Sequence, residues 1–108
     1  MNLSNEILNV GLMMAMEFGA NWLLSIEGRL LVKYPDLTLS EAKVYDDICQ
    51  KVMKVGNAYV YKNPVKLEGK VTFIDSVDFA VFMRGKYVWI DDTCMGRLYS
   101  QGCYYALK

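Results

Sequence analysis

The hydrophobic pattern of the chain begins with an apolar segment over residues 3–34. Leucine, methionine and alanine predominate in it and β-branched residues are sparse, which favours a helix over a strand. Ser4 is placed to cap the first turn, and Pro35 is placed to end the segment because a residue before proline avoids the α region. The sequence therefore predicts one long N-terminal helix over residues 4–33, with Gly28 as a candidate break.

A second helix is predicted over residues 39–55. Residues 38–41, with the sequence Thr-Leu-Ser-Glu, have the form of a capping box, which starts a helix. The residues that follow place apolar side chains on one helical stripe and charged side chains on the opposite face. Gly56-Asn57 has the composition of a left-handed C-cap, so we expect the helix to end there.

From residue 58 onward the pattern changes to alternation, with many β-branched and aromatic residues, which is typical of strands. The predicted strands cover residues 58–61, 65–75, 77–83, 86–91 and 97–107. Two of them form a hairpin across Arg84-Gly85, whose register stays open between a two-residue turn and a bulged three-residue turn. The sequence thus predicts a single α+β domain over residues 1–108. In it two N-terminal helices pack on one face of a curved antiparallel sheet of four to five strands, a β-meander over about residues 58–107.

Self-association is suggested by the spacing of small residues in the first helix. Gly11, Ala15 and Gly19 recur every four residues, and this stripe would let a second helix approach closely. The partner helix would come from a second copy, although the same stripe would also suit packing on the chain's own sheet. Apolar residues make up 54% of the chain, above the about 45–50% usual in soluble domains, so a homodimer is expected.

Charge and cysteine content exclude several classes of function. The chain has 12 basic and 12 acidic residues and a formal net charge of zero, so no binding of duplex nucleic acid is expected. It contains no histidine, and its three cysteines form no CxxC pair, which removes the usual zinc sites and nucleophile pairs. We therefore assign no catalytic residue and no cofactor. The odd cysteine count without a secretory signal predicts a cytoplasmic protein.

Two further possibilities are weighed and set aside. Asn9, Glu17 and Asn21 interrupt the first apolar segment, so we expect no membrane-spanning helix. Four aspartates flank the predicted hairpin, and their carboxylates are of the type that binds Ca²⁺ or Mg²⁺; they are Asp75, Asp78, Asp91 and Asp92. Their spacing matches no EF-hand loop and turn aspartates are common, so no metal site is predicted.

The predicted hairpin is apolar on both faces, and the two helices would cover only one of them. Aromatic side chains dominate the energetics of protein interfaces, so the uncovered face predicts a partner-binding surface. Its residues would be Phe82, Tyr87, Trp89, Tyr99 and Tyr104. The leading functional hypothesis is a small intracellular, non-enzymatic protein–protein interaction module of the adaptor or inhibitor type.

The alternative is a domain that binds or transforms a small molecule. It requires an apolar pocket between the sheet and the long helix, with Glu17 as its polar group. The pocket would be lined by Met13, Met14, Phe18, Trp22 and Trp89.

Overall fold

The computed structural model describes residues 2–17 and 24–107, and the prediction of a sheet-centred α+β fold is wrong for them. They form five helices and one two-stranded antiparallel sheet. The elements are α1 (Asn5–Ala15), α2 (Glu27–Lys33), α3 (Leu39–Lys62), β1 (Val65–Leu67), β2 (Lys70–Thr72), α4 (Ser76–Lys86) and α5 (Asp92–Ala106). The chain divides into two compact units, of which the first ends at Met53 and the second begins at Lys54, within α3. That the whole chain is one domain stays a prediction.

In the first unit, α1 starts as the sequence predicts and ends far earlier. The hydroxyl of Ser4 accepts a hydrogen bond of 3.3 Å from the backbone N–H of Ile7, which caps the helix. The backbone N–H of Ser4 donates to the hydroxyl of Tyr45 on α3, at 2.9 Å. Helix α1 ends at Ala15, so a continuous helix over residues 4–33 is wrong.

A contact that is remote in sequence ties the residue before α2 to α3. Asp46 on α3 accepts a hydrogen bond of 3.1 Å from the backbone N–H of Ile26, the residue that precedes α2. The hydroxyl of Ser25 accepts from the N–H of Glu27 at 3.3 Å and adds a local start signal. Helix α2 then ends at Lys33, two residues before Pro35, as the proline predicts.

Helix α3 confirms the capping box and extends beyond the predicted end. The N–H of Thr38 donates to the Glu41 carboxylate at 2.9 Å, and the N–H of Glu41 donates to the Thr38 hydroxyl at 3.1 Å. The predicted C-cap at Gly56 is wrong, because Gly56 is buried inside the helix. A Cβ at Gly56 would lie 2.9 Å from Cγ of Leu98, so the glycine permits close packing of α3 and α5. The helix ends before Pro64, at Lys62.

The two strands form a short hairpin in the second unit. Val65 pairs with Thr72 and Lys66 with Val71 in antiparallel register. Glu68 and Gly69 connect the strands with φ angles of 50° and 79°, which fits a tight two-residue turn of the primed type. The single strand predicted over residues 65–75 is therefore two short strands joined by a turn.

Four of the predicted strands are wrong: residues 58–61 lie in α3, residues 77–83 in α4 and most of residues 97–107 in α5, while residues 87–91 connect the last two helices. Helix α4 includes Arg84-Gly85, and neither of the two alternative strand registers exists. Asp75 caps α4 by accepting a hydrogen bond of 3.0 Å from the N–H of Val77. Asp91 caps α5 by accepting one of 2.8 Å from the N–H of Cys94. These two caps identify both helix starts.

Each unit buries its own set of apolar side chains. In the first unit, the fully buried large residues include Leu8, Leu12, Met16, Ile26, Leu30, Tyr45, Val52 and Met53. In the second unit, they include Val60, Phe79, Met83 and Leu98. Among the described residues, no helix combines the length and apolar character needed to cross a membrane.

Candidate functional site

Helices α4 and α5 form an antiparallel pair with a surface groove between them. The end of α4 meets the start of α5 through an ion pair between Arg84 and Asp92. Near the start of α4, the hydroxyl of Tyr99 on α5 donates a hydrogen bond of 2.7 Å to the carbonyl of Ile74. These two contacts set the direction of the pair and its spacing at each end.

The groove is concave and mainly apolar. It has a volume of about 470 Å³ and is lined by Ser76, Val77, Ala80, Val81, Arg84, Asp92, Met95, Gly96 and Tyr99. Val77 and Val81, one helical turn apart on α4, are 66% and 70% exposed. Single exposed apolar side chains are common on protein surfaces, but neighbouring ones along a groove are typical of a binding site.

One end of the groove carries one charge of each sign. Nη2 of Arg84 lies 2.5 Å from Oδ1 of Asp92, and the two side chains are 40% and 97% exposed. Such an exposed pair contributes little to stability, about 0–1 kcal/mol. The guanidinium has five N–H donors and the carboxylate accepts several hydrogen bonds, so both groups retain capacity for a ligand.

Tyr99 forms the opposite end of the groove, and its hydroxyl stays neutral. Its ring packs against Phe79 with 5.4 Å between ring centroids, and its hydroxyl binds Ile74. Burial raises the pKa of Tyr99 above its ordinary value, with smaller contributions from Cys103 and Asp75. The residue therefore acts as a hydrogen-bond donor that fixes α5 to the start of α4.

The sheet face that would align the five predicted partner residues is absent from the described residues, where the one sheet has two strands. Tyr99 alone of the five lines the groove. Tyr87 and Trp89 lie in the connection between α4 and α5, with 6.3 Å between their ring centroids. Phe82 stacks on Tyr59 of α3 at 3.6 Å. Tyr104 lies near the end of α5 and is exposed.

The helix stripe predicted for dimerisation is used inside the first unit where the structure describes it. Gly11 is buried, and a Cβ there would lie 2.9 Å from Sγ of Cys49 on α3. Ala15 is buried as well, and Gly19 lies outside the described residues. Homodimerisation stays a prediction.

The predicted polar group of the alternative pocket, Glu17, forms an ion pair. Its carboxylate lies 3.2 Å from Nη1 of Arg29, which also donates to the carbonyl of Met14 at 3.1 Å. The contact joins the end of α1 to α2. Phe18 and Trp22, two of the predicted lining residues, lie outside the described residues, and the sheet that would form the other wall is absent from the described ones.

The four aspartates considered for metal binding serve the starts of two helices. Asp75 and Asp91 are the N-caps of α4 and α5, and Asp78 and Asp92 lie in the first turns. Negative charges at these positions interact favourably with the helix dipole. Within residues 2–17 and 24–107, no cluster of three or more potential ligands has metal-binding geometry.

The sequence matches no protein-family model, no curated protein and no solved structure.

Sequence reasoning missed most of the groove residues. Val77, Val81 and Arg84 recur at helical spacing after a capping aspartate, which was the available signal. The alternation of apolar residues over positions 77–83 indicated a strand instead.

Proposed function

We propose that the chain is a non-enzymatic protein-interaction module of the adaptor or inhibitor type, and that its groove between α4 and α5 binds an apolar helical segment. The observation that carries the proposal is the uncovered pair Val77 and Val81 beside a concave floor of Ala80 and Met95. Burying exposed apolar area is the main favourable term in protein association.

The shape of the groove favours a helix as its ligand. Two adjacent helices present ridges with a furrow between them, and a third helix packs into such a furrow with side chains at every third or fourth position. Small residues at Ala80 and Gly96 leave room in the middle of the groove, and the side chains of Val77, Val81 and Tyr99 border it.

As part of the same proposal, the module acts in the cytoplasm. Cys49, Cys94 and Cys103 carry thiols rather than disulfides, which suits a reducing compartment.

A co-purification experiment with matched variants tests the proposal. Val81→Glu places a charge on the groove wall, and Val88→Glu places the same charge on a residue that is 85% exposed and does not line the groove. We expect tagged wild-type chain and Val88→Glu to retain the same proteins from the source cell, including untagged copies of the chain. Val81→Glu should lose them while keeping its melting temperature. Equal retention by all three proteins would contradict the proposal.

A further inference from the structure

We propose that the occupant of this groove is the same groove of a second copy, so that α4 and α5 of two chains pack together around a two-fold axis. This inference rests on the proposed function, because it names the partner of the same site. It also places the predicted homodimer on a surface that the chain leaves uncovered.

The charges at the groove end are self-complementary. In a two-fold interface each residue that contacts a different residue is contacted by that residue in return. Arg84 of one copy would meet Asp92 of the other, and the reciprocal contact forms at the same time. Both side chains are exposed and retain donor and acceptor capacity beyond their internal ion pair. A groove with one positive and one negative charge therefore pairs with itself without leaving a charge unmatched.

The net charge of the chain permits this association. With 12 basic and 12 acidic residues, two copies do not repel each other at long range. Proteins whose net charge is near zero associate more readily than highly charged ones.

Gly96 supplies a second observation. A glycine inside a helix costs about 1 kcal/mol relative to alanine, and close packing against another helix is one reason to keep it. Gly56 and Gly102 pack closely within the unit, because a Cβ at either would lie 2.9 Å from Leu98 or Val60 respectively. At Gly96, as at Gly85 outside the groove, a Cβ would meet open space, and Gly96 lines the groove. Space left at this point allows the backbone of another helix to approach closely.

The positions of Gly96 and Asp92 on α5 suit a dimer in which the α5 helices of the two copies cross. They lie one turn apart on the same face of α5, since residues four apart are neighbours on a helix surface. Two copies of α5 that cross at Gly96 would bring each Asp92 to the border of the crossing, where Arg84 of the other copy can bind it.

The test compares two glycines that differ only in their relation to the groove. Gly96→Leu and Gly85→Leu each add a side chain where a Cβ meets open space, and Gly85 does not line the groove. We expect wild-type protein and Gly85→Leu to sediment as dimers at tens of micromolar. Gly96→Leu should raise the dissociation constant about tenfold or more. Circular dichroism should show the same helix content in all three, because a Cβ at either position meets open space and leucine favours a helix over glycine.

The possible outcomes separate this inference from the function on which it rests. A monomeric wild-type chain that still retains other proteins through Val81 would overturn the second-copy inference and leave the interaction module standing. A monomer that retains nothing through Val81 would overturn both. A dimer that Gly96→Leu and Gly85→Leu weaken equally, or not at all, would place the interface elsewhere and overturn the inference.

Discussion

The hydroxyl of Tyr99 donates a hydrogen bond of 2.7 Å to the carbonyl of Ile74, which joins α5 to the residues just before α4. Ile74 is buried, so its carbonyl would otherwise need another partner. The bond therefore fixes the width of the groove at the end opposite Arg84 and Asp92.

Removing this hydroxyl should destabilise the second unit. Tyr99→Phe keeps the ring and its contact with Phe79 but leaves the Ile74 carbonyl without its donor. The free energy of unfolding should fall by about 1 kcal/mol. Urea melts measure it, with Tyr61→Phe as the control, because the side chain of Tyr61 is 68% exposed. Equal losses in the two variants would show that the bond to Ile74 contributes nothing.

The hydrogen bond from Ile26 to Asp46 should contribute to the stability of the first unit. Asp46→Ala removes the acceptor of the Ile26 N–H and leaves a buried donor unsatisfied, which costs about 1–3 kcal/mol. Asp46→Asn keeps a carbonyl oxygen at the same place and should recover most of the loss. Thermal or urea unfolding distinguishes the two, and the exposed neighbour Asp47→Ala serves as a second control. If Asp46→Asn destabilises the protein as much as Asp46→Ala does, the loss of the acceptor for the Ile26 N–H does not explain the destabilisation.

The local signals in the sequence predicted helix starts and stops better than they predicted the fold. The capping box at Thr38 and Glu41 and the stop before Pro35 depend only on neighbouring residues, and both are found. The hydrogen bond before α2 joins Ile26 to Asp46, twenty residues away, and no local pattern reveals it. Gly56 has the composition of a C-cap but packs against Leu98 of α5, a contact that is equally remote in sequence.

The second half of the chain was misread because its apolar residues fit two periods at once. Val77, Phe79, Val81 and Met83 alternate like a strand, yet Phe79 and Met83 are buried on one helical face while Val77 and Val81 are exposed on another. The capping aspartates, Asp75 and Asp91, were the deciding signal. Of the five predicted partner residues Tyr99 alone lines the groove, and it lies on a helix that the sequence pattern did not predict.

Two glycines in helices should respond to alanine in opposite directions. Gly56→Ala forces a Cβ against Leu98, which is fully buried and cannot move aside, so overpacking should cost about 1–3 kcal/mol. Gly85→Ala meets open space and should stabilise the protein by about 0.5–1 kcal/mol, because glycine disfavours helices. Urea melts measure both effects. A stabilising Gly56→Ala would contradict the close packing of α3 and α5.

The buried thiol of Cys94 should make stability fall at alkaline pH. Burial, followed by the charge of Asp91 and its hydrogen bond, raises the pKa of Cys94 from 9.0 to about 12. Between these values the unfolded chain loses the proton and the folded chain keeps it, so the free energy of unfolding decreases as pH rises above 9.0. Below pH 9.0 the stabilising contribution of the Cys94 thiol is present in full.

Chemical unfolding on both sides of that pH value measures this effect. Cys94→Ala lacks the titrating group, so its stability should decline less steeply with pH than that of the wild type. Identical slopes for the two proteins would show that the Cys94 thiol titrates alike in the folded and unfolded states.

The most direct test of the proposed binding groove is site-specific photo-crosslinking in the source cell. A photoreactive amino acid at position 81 lies on the groove wall at a residue that is 70% exposed, and one at position 88 replaces a residue that is 85% exposed and does not line the groove. We predict protein adducts at position 81 well above those at position 88, with the adduct at twice the mass of the chain foremost among them. Equal yields at the two positions, or no protein adduct at position 81, would contradict a binding function for the groove between α4 and α5.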